Sequence, residues 1–328
     1  MIFPLTRPLK WDTTEDIDMK YNISKEFFPY SLFTPPIRNA EIAGWMGSKM
    51  KPPRWVQKNR SREVSVTSER IGSYDGSEIP VFVISPRGLA VTSPCLVYFH
   101  GGGFFFEGAP YHYKLAKRYA LACNCRVIFV QYRLAPKHPH PTPVRDCYAA
   151  LRWTFENAER LKIDREKIAV GGDSAGGALA AGVCQMARDS GTDMPLFQLL
   201  IYPVTDRRMH YDSCRTFTDT PMWNAKLSVK MWQGYVQDAT TADLAYASPM
   251  EAERFDSLPA AYIESAEFDC LHDEGIAYAA ALENAGVDVT RNETKGTMHG
   301  FDIAEKAPAT QVAVNARIEF MKRHFGGF

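Results

Sequence analysis

The sequence predicts an α/β protein: a mostly parallel, twisted sheet with helices on both faces. Two observations carry this. From about residue 60 onward, short apolar runs of strand length alternate with segments of helical period. Such alternation requires crossover connections, which are right-handed and cover both faces of a parallel sheet. The composition is that of an ordinary globular chain: 328 residues, 45% hydrophobic and 23% charged, enough for one large core with an elaboration.

The elements follow in order. The first sixty or so residues are rich in Pro, Trp, Phe and charge, with weak helical patches over 13–28 and 36–49. "REVSVTS" and "EIPVFVIS", separated by the turn "YDGS", read as an antiparallel hairpin. "CLVYFH" is a strand and 111–122 a helix; "RVIFVQY" is a strand and 144–160 a helix. "KIAVGG" is a strand, 175–189 a helix and "FQLLIYP" a strand. From Asp206 to about Ala245 the rhythm breaks, with one helix expected over 224–237. It resumes with "PAAYIES", a helix over 273–285, "VDVTRNET" and a final helix near 307–323. An insertion inside an α/β unit, together with an N-terminal segment outside it, predicts a cap over the carboxyl ends of the strands. That is where open α/β sheets bind ligands.

Charge and composition exclude several classes. Lys+Arg and Asp+Glu both total 38, so no net field draws nucleic acid or an anionic membrane. No apolar run approaches the ~18 residues of a membrane span. The opening "MIFPLTRPLKWDTTED" has no basic region followed by an apolar one, so no signal peptide is expected and the expected location is cytoplasmic. Seven cysteines in apolar surroundings read as buried free thiols. Cys123 and Cys125 lack a second pair at zinc-like spacing, and no metal is expected.

The chemistry begins at "VGGDSAGGALAAG", residues 170–182. Gly172 and Gly176 flank Ser174 two residues away on each side, between a predicted strand and a predicted helix. In that setting the serine sits on a strained corner with its hydroxyl exposed, and the N–H of Ala175 opens the helix toward a developing oxyanion. The competing reading is a glycine-rich turn whose serine merely caps the helix.

A serine nucleophile needs an oxyanion hole, a base and an orienting acid. "YFHGGGFFF", residues 98–106, leaves a strand and supplies three consecutive glycines. Gly102 and Gly103 are read as donors beside Ala175, and His100 as a residue that orders the loop. His299, in "KGTMHGF", follows the last predicted strand in a glycine-flanked loop and is read as the base. His112, His210 and His324 have no motif around them, while His138 and His140 sit in the proline-rigid "KHPHPTP" and read as structural. For the acid, "ESAEFDCLHDE" leaves Glu267 and Asp269, which local reasoning does not separate.

"HGGGF", "YRLAP", "GDSAGG", "EFDCLHDEG" and "MHGF", in this order, resemble the hormone-sensitive-lipase-like branch of the α/β-hydrolases, the bacterial family IV esterases. The resemblance runs from about residue 60 to the C-terminus. It implies an α/β-hydrolase fold with Ser174 as nucleophile, Asp269 as acid and His299 as base. It also implies Gly102, Gly103 and Ala175 as the oxyanion hole. Two positions depart from the family pattern: Cys270 stands where Pro is usual, and Lys137 where Glu is usual.

The expected organisation is therefore an N-terminal cap segment over 1–50, a catalytic core over 51–205 and 246–328, and a cap insertion over 206–245. The resemblance implies hydrolysis of small esters with short acyl chains, without a cofactor, and a homodimer formed through an outer strand. Phe104, Phe105 and Phe106, with Trp223 and Trp232 from the cap, are expected to give a compact apolar pocket. An amidase or N-deacetylase would use the same triad, and an exported lipase would want an interfacial lid. A non-catalytic ligand receptor on this fold would have lost the base, whereas His299 is present.

Overall fold

The computed structural model describes residues 20–47, 49–238 and 243–326. Eight strands make one sheet: β1 (Val64–Gly72), β2 (Glu78–Pro86), β3 (Ser93–Phe99), β4 (Arg126–Val130), β5 (Ile163–Asp173), β6 (Phe197–Ile201), β7 (Ala260–Phe268) and β8 (Val289–Met298). Their order is β1-β2-β4-β3-β5-β6-β7-β8. β1 pairs antiparallel with β2, and β2 with β4; every later neighbour is parallel. This is the mostly parallel sheet that the alternation predicts.

The central strands are buried on both faces, which explains their unbroken apolar runs. Along β3, Cys95, Val97 and Phe99 join the core on one side while Leu96 and Tyr98 join the core on the other. The first core holds helices Thr142–Glu156, Ala175–Asp189 and His272–Asn284; the second holds Pro110–Ala122 and Pro308–Phe325. At ~1.5–3 kcal/mol per large apolar side chain buried, each alternate strand position contributes to one of the two layers. All seven cysteines are buried and free. Among the described residues, no helix is long and apolar enough to cross a membrane.

Several boundaries differ from the sequence reading. The helix expected over 144–160 runs from Thr142 to Glu156. It ends at Asn157, whose main-chain N–H and side-chain Nδ2 both donate to the Trp153 carbonyl, and β5 already starts at Ile163. β8 continues to Met298, past the end of "VDVTRNET", through a register shift opposite Ala266 and Phe268. Residues 13–19 of the patch over 13–28 lie outside the described residues; its described end forms a 3-10 turn, Lys25–Phe27, and a short helix, Phe28–Ser31. The second patch shortens to Ala40–Gly47, because Asn39 caps it, its Oδ1 accepting the Ile42 N–H at 2.9 Å.

Two segments outside the sheet roof the carboxyl ends of its strands. The helix Ala225–Tyr235 is capped by Asn224, whose Oδ1 accepts the Leu227 N–H. It is tied to the N-terminal segment by Lys230 Nζ donating to the Ile37 carbonyl at 2.7 Å. The Met222 N–H likewise donates to the Phe33 carbonyl at 2.6 Å. Gly234 lets the helices close up: a Cβ there would sit 2.6 Å from that of Ala40. Of the expected 1–50 segment, residues 1–19 lie outside the described residues.

Candidate active site

β5 ends at Asp173 and the next helix begins at Ala175, so the whole reversal falls on Ser174, held at φ 53°, ψ −120°. A positive φ is costly for a residue with a Cβ, and it persists only where surroundings over-determine it. Here they do. The Ser174 N–H donates to the Ile201 carbonyl at 2.8 Å, and its carbonyl accepts from Ala178 and Val204. The flanking glycines allow the approach: a Cβ on Gly176 would lie 2.0 Å from the Phe99 carbonyl oxygen, and one on Gly172 2.4 Å from Gly176. The hydroxyl does not cap its helix. It contacts His299 Nε2 at 2.9 Å instead.

His299 follows β8, and its Nδ1 meets Asp269 Oδ2 at 2.6 Å. A carboxylate only accepts, so Nδ1 carries the proton and Nε2 is left to accept from Ser174. Asp269 is fully buried, and its Oδ1 accepts the Leu271 N–H at 3.0 Å. Glu267, the other carboxylate that the sequence left open, accepts the Gly296 N–H at 2.7 Å and holds the β8 turn instead. At the departure from the family pattern, the Cys270 carbonyl accepts from the Ser213 hydroxyl at 2.9 Å, which ties down the loop that Pro would stiffen.

The glycine loop leaves β3 beside this group. Gly102 (φ 118°) and Gly103 (φ 59°) occupy backbone conformations that favour glycine. A Cβ on Gly103 would lie 2.6 Å from the Trp223 ring, and one on Gly102 2.8 Å from the Phe106 carbonyl oxygen. His100 is buried against Tyr132, with ring centroids 4.5 Å apart, and its Nδ1 donates to the Gly101 carbonyl at 2.8 Å. Burial pushes this imidazole down to about 4. It orders the loop, and His299, not His100, is hydrogen-bonded to Ser174.

A buried network that the sequence reading missed ties loop to elbow. Asp173 accepts from Tyr98 Oη at 2.7 Å, from the Gly101 N–H at 3.1 Å and from His112 Nε2 at 2.9 Å. His112 Nδ1 in turn accepts the Ala109 N–H at 2.8 Å, which fixes the tautomer. Burial alone would push the Asp173 carboxyl up, but His112 and Tyr98 outweigh it and hold the group at about 2. His112 is the third residue of the helix Pro110–Ala122 and has no motif around it, so only the fold brings it to the corner at Ser174.

Ser174, His299, Gly102, Gly103 and Trp223 line one pocket of about 330 Å³, with Phe106 and Met222 among its apolar walls. The expectation for Phe104, Phe105 and Trp232 needs correction, because none of them lines it. Phe104 is turned away by its left-handed backbone (φ 63°) and stacks on Tyr235, ring centroids 3.6 Å apart. Phe105 is buried between the two roof helices, where Gly47 and Gly234 leave room for it. Trp232 packs against Phe104 and Tyr235. In their place Phe33, Pro35, Met46 and Met50 come from the N-terminal segment, where no pattern in the sequence marks them as pocket residues.

A family model described as the alpha/beta hydrolase fold matches residues 96–303. The chain belongs to the α/β-hydrolase family, in its hormone-sensitive-lipase-like branch. This hydrolase is 37% identical over 261 residues to a carboxylesterase, NlhH, of Mycobacterium tuberculosis, covering 78% of this chain and 82% of that one. It is also 37% identical to the esterase LipI of the same species, covering 68% and 70%. Among solved structures, a bacterial heroin esterase superposes with a TM-score of 0.76 at 33% identity, covering 87% of this chain and 89% of that one.

Proposed function

We propose that this hydrolase cleaves small carboxylic esters with short acyl chains, by acyl transfer to Ser174. Ester hydrolysis is the activity that the named esterase relatives share with it. The observation that carries the serine mechanism is the unbroken chain from Asp269 to His299 to Ser174, at 2.6 and 2.9 Å, opening on an apolar pocket. His299 Nε2 takes the hydroxyl proton as Oγ bonds to the ester carbonyl carbon. The oxyanion that forms is stabilised by the main-chain N–H groups of Gly102, Gly103 and Ala175. The bond to the alcohol oxygen then breaks, and His299 returns the proton to that oxygen. Water repeats the sequence on the acyl-enzyme, releasing the acid and restoring Ser174.

The modest pocket of about 330 Å³ supports a short acyl chain, since it stands at the lower end of the ~300–1,000 Å³ range of ligand sites. The test is a series of p-nitrophenyl esters from acetate to dodecanoate. The expected result is a burst of p-nitrophenol, with kcat/KM highest between acetate and hexanoate. No turnover on any member, or an optimum at the long end, rejects the reading.

The glycine loop gives a second expectation. Gly102→Ala places a Cβ on the Phe106 carbonyl at a φ of 118°, so the loop must shift. Displacing one such donor costs ~10²–10³ in kcat. With KM for p-nitrophenyl acetate nearly unchanged, that drop marks transition-state stabilisation; a kcat within a few-fold of wild type removes Gly102 from the hole.

A further inference from the structure

A second space lies beside the active-site pocket. It is a cleft of about 740 Å³ between the connection over 131–138 and the helix Ala40–Gly47. That helix roofs both spaces, with Gly44 and Trp45 on the cleft and Met46 on the pocket. Among the described residues, one side chain is common to both walls: Glu107. It follows the glycine loop directly. Its neighbour Gly108 is pressed against Phe129, where a Cβ would meet the ring at 2.9 Å, so the backbone next to Glu107 is pinned.

The Glu107 head is half-buried, with one oxygen closed off. Its Oε2 is closed to solvent and has no hydrogen-bond partner among the described residues. Burial pushes the carboxyl up to about 7. Three polar groups that line the pocket with it are engaged elsewhere: His112 with Asp173, His299 with Ser174 and Asp269, Tyr202 with Asp302. An unpaired buried carboxyl is unfavourable for folding, so its place at the one junction of pocket and cleft calls for a function.

We propose that Glu107 is a specificity-determining partition, closing the Ser174 pocket against the cleft and thereby limiting the length of the ester chain that the site accepts. The inference rests on the ester-hydrolysing reading above and adds the residue that sets its chain-length limit. With the partition shortened, pocket and cleft become continuous and the available space rises about threefold over the 330 Å³ of the pocket alone. A chain too long for the pocket then threads past residue 107 into the cleft.

The test compares wild type with Glu107→Ala, Glu107→Ser and Glu107→Gln. Substrates are p-nitrophenyl acyl esters and a second series of acetates of straight-chain alcohols, so that either arm of the ester can be the one beside residue 107. In Glu107→Ala and Glu107→Ser, the ratio of kcat/KM for the ten-carbon to the four-carbon member rises at least about tenfold in one series, the scale on which apolar pockets discriminate added methylenes. Glu107→Gln keeps the wild-type ratio, because it keeps the volume. Unchanged ratios in both series for a shortened variant with a wild-type melting curve overturn the proposal. So does a Glu107→Gln that accepts long chains as readily as Glu107→Ala, since charge and not bulk would then set the limit. If wild type turns over no ester, the failure lies with the ester reading, not with the partition.

Discussion

Ser174→Ala lowers kcat by roughly 10⁶-fold, the scale on which removal of a triad serine acts in a serine hydrolase. The fold is expected to survive. The main-chain bonds that hold the corner, from Ser174 N–H to Ile201 and from Ala178 and Val204 to its carbonyl, need no side chain. The hydroxyl does not cap the helix, so its loss costs no cap. On the proposed mechanism, what disappears is the oxygen that bonds to the ester carbon, and with it the acyl-enzyme. The check is threefold: kcat on p-nitrophenyl butyrate, the pre-steady-state burst, and covalent mass gain with a fluorophosphonate. A melting curve run in parallel separates lost chemistry from lost structure. Turnover within about a hundredfold of wild type would mean that the residual oxyanion and binding contributions, usually ~10³–10⁴ over water, are insufficient to explain it. The nucleophile would then be another residue.

The second large effect is on stability. Arg317, fully buried in the last helix, donates from Nε to Glu264 Oε2 at 3.0 Å and from an Nη to Asp302 at 3.0 Å, with a second, short contact to Glu264. Burial alone would pull the guanidinium down, yet Asp302 and Glu264 hold it well above its ordinary value. Tyr262 donates to Glu264 at 3.0 Å and Tyr202 to Asp302 at 2.7 Å, so the carboxylates are satisfied only as a group. Removing the cation leaves two buried carboxylates facing each other. Arg317→Met is therefore expected to cost about 3–5 kcal/mol, read as a fall in the urea midpoint. Adding Glu264→Gln and Asp302→Asn to that variant should recover much of the loss, because the penalty comes from unpaired charge more than from missing attraction. A single variant that loses less than about 1 kcal/mol would put the triad in the class of dispensable ion pairs.

This network also reaches the active site. Asp302 belongs to the turn Phe301–Ile303, which begins one residue past His299, after Gly300, and Tyr202 packs against the His299 ring with centroids 4.9 Å apart. Arg317→Met is thus expected to lower kcat in the fraction that stays folded.

Much of the fold was legible because its signals are local. Strand-length apolar runs against helical periods gave the parallel sheet, and the helix over 175–189 starts and stops where the sequence places it. The glycines of "HGGGF" and "GDSAGG" were equally legible, since a positive φ or a backbone contact admits no side chain and so marks its own position. Ser174 and His299 were found by the company they keep in the chain. For the acid, the local reading left Glu267 and Asp269 open and the family resemblance pointed to Asp269; in the structure Asp269 is the one that meets His299 Nδ1, while Glu267, two residues away, bonds the Gly296 N–H. His112, Glu107, the pocket side of the N-terminal segment and the Arg317 cluster were decided by tertiary structure alone. His112 and Arg317 act through partners that lie far away in the chain, Asp173 and Glu264 respectively. Phe104 and Phe105 make the same point from the other side, for aromatic character next to a site does not say which way a ring turns. Local backbone demands write themselves into residue type, whereas the direction of a side chain is settled by what packs against it.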